Sequence, residues 1–257
     1  MTPTRSLVPT AVFGPRAAAG TAHALVFAPV TPRWDDGAFF APVTRALVRA
    51  GLRVTVVDTL ALWDEHTPTL TALAARCRPL LTRHGPVDLL CGNALGGAVA
   101  QALLPDTHPD TAALLVSGPA RTDALLEARL AEIADLAASG RPDRALALLG
   151  RRVRPYDHRP DDGEHTLTAP APGAGRRLAA GMRLLRDVDL GPVVRAHPGP
   201  LLQIVGGRSQ LVTPRHTVAA PHHRVAIVER AGMRPHFTHT AEVSALVGAF
   251  LREKGHP

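Results

Sequence analysis

Short apolar runs alternate along the chain with segments whose apolar residues recur every three or four positions. The runs Ala24–Ala28, Arg53–Val57, Val87–Gly92, Ala112–Val116, Pro200–Val205 and Arg224–Val228 read as short strands, most of them apolar on both faces. Helical spacing covers Ala38–Ala50, Thr67–His84, a segment ending near Leu104, and Glu242–Leu251. In the last, Val243, Leu246, Val247, Phe250 and Leu251 fall on one face. Ser6–Phe13 adds one edge-strand candidate ahead of the series. Strand–helix alternation over short connections predicts an α/β fold: a mostly parallel central sheet with helices on both faces.

Residues 120–196 break the rhythm. Asp123–Ser139, Asp143–Arg152 and Arg176–Arg186 carry helical periodicity, Arg154–Gly175 is rich in Pro, Gly and charge, and no strand is convincing. The chain therefore reads as one domain in three stretches: core over 1–119, a helical insertion over 120–196, and core again over 197–257.

Size fits that reading, since 257 residues suit one ordinary domain with a full core. No apolar run reaches the ~18 residues of a membrane span, and the first twenty residues lack the apolar centre of a secretory signal. Cys77 and Cys91 have no metal-ligand spacing and read as free thiols, which points to the cytoplasm. The net charge of +7 invites a nucleic-acid partner. Against it, the arginines are scattered along predicted helices without interleaved aromatics, so no nucleic-acid partner is expected.

The candidate chemistry centres on Val87–Ala100, a buried strand, a glycine-flanked turn and a small-residue helix. Its Gly92-x-Ala94-x-Gly96 spacing removes side chains where a tight strand-to-helix turn would press them into its neighbours. On these residues the sequence resembles the α/β-hydrolase superfamily, whose nucleophile sits on such an elbow. The resemblance covers most of the chain and implies that fold, with the 120–196 insertion as a helical lid over a pocket.

Carried over position by position, the resemblance implies a degenerate triad. Ala94 takes the nucleophile position. After strand 200–205 the run Gly206–Pro214 places Ser209 where an acid belongs, and a hydroxyl cannot stabilise an imidazolium as a carboxylate does. In Gly232-Met233-Arg234-Pro235-His236 the retained family histidine is read as His236. The loop after strand 24–28 begins with Pro29, which has no N–H, so the oxyanion donors reduce to the amides of Val30 and Leu95. Asn93, Pro29, Arg33, Trp34, Asp123 and Phe237 are read as pocket residues. For Asp123 the alternatives are a relocated acid facing His236 and a cap of its own helix. Cys91 is expected to point into the sheet, and Ser117 to be a turn serine. His216, His222 and His223 lack partners at metal spacing.

Three functions compete at this stage. The first is a cofactor-independent, non-hydrolytic enzyme that uses His236 for proton transfer, elimination, isomerisation or cyclisation of an apolar carbonyl compound in natural-product biosynthesis. The second is an ester or thioester hydrolase knocked out by a serine-to-alanine substitution at Ala94, which the altered Ser209 and Pro29 argue against. The third is a non-catalytic small-molecule binder. No cofactor, metal or membrane partner is expected, and a homodimer is left open.

Overall fold

A computed structural model describes residues 8–18, 20–83, 85–158 and 170–253. In chain order the first half comprises β1 (Thr10–Phe13), β2 (His23–Phe27), α1 (Ala41–Arg49), β3 (Arg53–Val57), α2 (Leu70–Cys77), α3 (Leu80–Arg83), β4 (Leu89–Asn93), α4 (Leu95–Leu103) and β5 (Ala112–Val116). Four helices follow: α5 (Ala124–Ala138), α6 (Pro142–Arg152), α7 (Ala174–Arg183) and α8 (Gly191–Ala196). The chain then returns to the sheet with β6 (Leu201–Gly206) and β7 (Arg224–Val228), and closes with α9 (Pro235–Thr238) and α10 (Thr240–Glu253).

The strands form one sheet in the order β1-β3-β2-β4-β5-β6-β7, antiparallel only at β1. Strands β2, β4, β5 and β6 are buried along their whole length, because helices cover both faces. One apolar cluster joins the sheet to α2–α8, and a second joins it to α1 and α10. From β2 the chain moves outward to β3, then returns to lay β4 on the other side of β2. The loops after β2 and β4 therefore diverge, and a crevice opens at the carboxyl ends of these strands.

Local chemistry moved several boundaries. The helix expected over Thr67–His84 is broken into α2 and α3 around Pro79, which lacks the N–H a continuous helix requires. Helix α8 lies outside the segments with helical periodicity; Pro192 in its first turn fixes a helical φ without losing a useful donor. The predicted strand Ser6–Phe13 is ordered as Thr10–Phe13, with residues 6 and 7 outside the described set. The 120–196 interval carries only helices among its described elements. No described helix is long and apolar enough to cross a membrane.

Candidate functional site

The elbow joins β4 to α4 at Ala94, whose backbone takes φ 49° and ψ −116°. A non-glycine residue there carries strain of order 1–3 kcal/mol that its surroundings must hold in place. Gly92 and Gly96 make that approach feasible. A Cβ on Gly92 would strike the Gly96 carbonyl, and one on Gly96 would strike the Phe27 carbonyl at the end of β2. The strained turn is thus fully built, and it presents a methyl group.

Ala94 lies in the wall of a cavity of about 630 Å³ that occupies the crevice. The sheet side contributes Pro29, Val30, Asn93 and Leu95. The inserted helices contribute Leu126 and Leu130 from α5, Leu146 and Leu149 from α6, and Met182 from α7. The apolar helix faces were visible in the sequence, but their convergence on the elbow was not. Among the described residues the amides of Val30 and Leu95 donate to no acceptor within the chain, and both residues share the cavity wall with Ala94. Asn93, by contrast, spends its side-chain amide on the Val116 carbonyl at 2.8 Å.

Ser209 and His236 do not meet. The Ser209 hydroxyl lies 3.8 Å from the sulfur of Met233, a residue that lines the same cavity as Ala94. The tail of α6 presses this arrangement together: Pro155 bridges to Ser209, and the Met233 amide donates to the Val153 carbonyl at 2.9 Å. Sequence reading followed the imidazole to His236 and passed over Met233, although it directly follows Gly232.

His236 borders the cavity with one ring nitrogen already engaged. Nε2 is 3.0 Å from the Phe39 carbonyl and donates to it in the neutral tautomer, while Nδ1 is buried without a partner. Burial, seconded by the charge of Arg234, pushes this imidazole down to about 4 against the pull of the Phe39 carbonyl. Held down in this way, the ring is neutral at pH 7 and weakly basic.

That burial has a stability consequence. Below the ordinary histidine value of about 6.5 the unfolded chain binds a proton that folded His236 refuses, so stability falls with pH until about 4. The contribution of His236 amounts to about 3 kcal/mol, and His197, His216 and His223, also held low by burial, act in the same direction. Thermal unfolding followed from pH 7 to pH 4 is expected to show a steep loss of Tm that His236→Asn reduces. A Tm independent of pH over that range would contradict the assignment.

Several expected pocket residues lie elsewhere. Arg33 is exposed and Trp34 packs with the second apolar cluster; neither lines the cavity. Asp35 does line it, with its carboxylate accepting from the Gly37 and Phe39 amides at 3.1 and 2.9 Å. Asp123 is no partner of His236. It caps α5 by accepting from the Leu126 amide at 2.8 Å and stands 3.2 Å from Nε2 of buried His216, lining a separate cavity. The Leu126 amide, followed by His216, holds the Asp123 carboxyl below its ordinary range. Phe237 lines the main cavity and is exposed at its edge. Cys91 packs in the second cluster, and Ser117 lies outside the main cavity. Among the described residues no three His, Cys, Asp or Glu side chains gather to hold a metal ion.

No protein-family model and no curated protein matches the sequence. Solved structures do match the fold. An alpha/beta hydrolase enzyme from a Medee basin deep-sea metagenome superposes with a TM-score of 0.77 at 11% identity, covering 95% of this chain and 94% of that one. An esterase from Exiguobacterium antarcticum gives 0.74 at 15% identity, covering 95% of each chain. The enol-lactonase from Burkholderia xenovorans LB400 gives 0.74 at 17%, covering 95% and 96%.

Proposed function

Because this chain has the α/β-hydrolase fold and carries alanine at its elbow, we propose that it holds an apolar, carbonyl-bearing small molecule without forming a covalent intermediate. The observation that carries this reading is the contact of Ser209 with Met233, which shares the cavity wall with Ala94. In a hydrolytic relay the acid touches the histidine, and the histidine faces the nucleophile. The group touching the acid position here is a thioether. Methyl, thioether and hydroxyl therefore stand where nucleophile, base and acid would act, and none of them can take up the proton of an attacking oxygen. A knock-out confined to Ala94 does not account for the changes at Ser209 and Met233.

The free amides of Val30 and Leu95 supply the polar anchor for a carbonyl oxygen, and the leucine-rich wall supplies apolar contact. Ala94 leaves room for the carbonyl carbon where a nucleophile would crowd it. One observation favours the proton-transfer alternative: Nδ1 of His236 has no partner. The two readings separate on an unreactive methyl ketone in D₂O. The binder is expected to take up the ketone and leave the exchange rate of its α-hydrogens unchanged. Acceleration of that exchange, lost in His236→Ala, would replace this reading with proton transfer.

A further inference from the structure

Resting on that reading of the cavity, we propose that its ligand is an amphiphile with an apolar chain and one carboxylate, and that Arg234 at the cavity edge receives the carboxylate. Arg234 lines the cavity beside Phe237, immediately before α9. Its guanidinium makes no hydrogen bond or ion pair with any described residue, although most arginines of this chain that border cavities are tied. Arg176 reaches Glu65, Arg183 reaches Asp135, Arg215 reaches Asp123, and Arg152 reaches Glu132.

Arg234 is exposed at the cavity edge, with its guanidinium open to an incoming group. Partial desolvation, followed by repulsion from Arg154, lowers the guanidinium from its ordinary range. Two like charges close together, one of them unpaired, attract an anion more strongly than either alone. Asp35 is the carboxylate in the same wall. It is held by the Gly37 and Phe39 amides and makes no ion pair with Arg234. An incoming carboxylate would take a bidentate seat on the planar fork that an ammonium could not offer. The wall beyond it, built from Leu126, Leu130, Leu146, Leu149 and Met182, accepts the chain. A head anchored at the edge and a tail under the helices matches an acyl acid or oxo-acid.

Titration calorimetry on the full chain with decanoate and with 1-decanol tests this. Decanoate is expected to bind at least about tenfold more tightly at low salt, because a charge-assisted pair is worth one such factor or more. Arg234→Gln should erase the preference without weakening decanol, and Arg234→Lys should keep part of it. With the wild-type protein, raising salt from 50 to 500 mM should weaken decanoate and spare decanol, a readout that needs no variant. Equal binding of acid and alcohol, or a preference that survives in Arg234→Gln, overturns the assignment to Arg234 while leaving the apolar cavity in place. Binding of neither overturns both the inference and the reading beneath it.

Discussion

The combined substitution Ala94→Ser, Ser209→Asp and Met233→His is expected to give ester hydrolysis, whereas Ala94→Ser with Ser209→Asp alone stays at background. The elbow already holds residue 94 in the strained turn, and the amides of Val30 and Leu95 are unoccupied. What is absent is a base in contact with both the acid and nucleophile positions. Met233 touches residue 209 and lines the cavity with residue 94, and histidine is close to methionine in reach. A positioned general base contributes about 10²- to 10⁴-fold. The triple variant should therefore exceed the double by about 100-fold in kcat/KM on short p-nitrophenyl esters. Equal turnover of the two variants would mean that His236 can serve as the base from its seat on Phe39, and would remove Met233 from the account.

Loss of Arg177 is expected to be the largest single blow to stability outside the glycine elbow. Asp58, at the carboxyl end of β3, is 2% exposed. Arg177 of α7 grips it through two bonds of 3.0 and 2.6 Å and sends a third, from Nε, to the Thr31 carbonyl at 3.0 Å. The pair fastens the inserted helices to the loop that carries Val30, on which Gly181 of α7 also rests closely. Arg177→Ala strands a buried carboxylate and should cost about 3–5 kcal/mol, or roughly 10 °C in Tm for a chain of this length. Arg177→Lys should recover only part, because an ammonium cannot reproduce the two-pronged grip. Replacing both partners, as Asp58→Leu with Arg177→Met, should be milder than Arg177→Ala alone, since no charge is left unpaired. Urea unfolding of the three variants decides this, and a loss below ~1 kcal/mol for Arg177→Ala would show that the charge is solvated by other means.

The sheet was legible because its central strands are buried on both faces and so are written as apolar runs. Ala24–Ala28 carries no polar side chain, and between Leu201 and Val205 only Gln203 interrupts the run. The elbow was legible because Gly92 and Gly96 stand at backbone contacts that no side chain fits. Helix ends were less legible where proline acts in opposite senses, interrupting at Pro79 and initiating at Pro192. Within the site, the histidine assignment followed residue type: His236 is the only imidazole in its loop before α10 apart from His239. Its partner, however, is a carbonyl of the segment preceding α1, nearly two hundred residues away in sequence. The pairing of residues 209 and 233 depends on how the tail of α6 is pressed between two loops. Asp123 was read correctly as a local cap in one of its two alternatives, since a cap is decided by residues three positions away.

Intact-protein mass after exposure to an excess of a reactive acyl donor, such as a p-nitrophenyl ester or a β-lactone, tests the absence of a working nucleophile most directly. The wild-type chain is expected to keep its mass while the donor survives, and to bind the corresponding unreactive ketone reversibly. An added acyl mass mapped to the cavity, or donor consumed with turnover, would contradict the account.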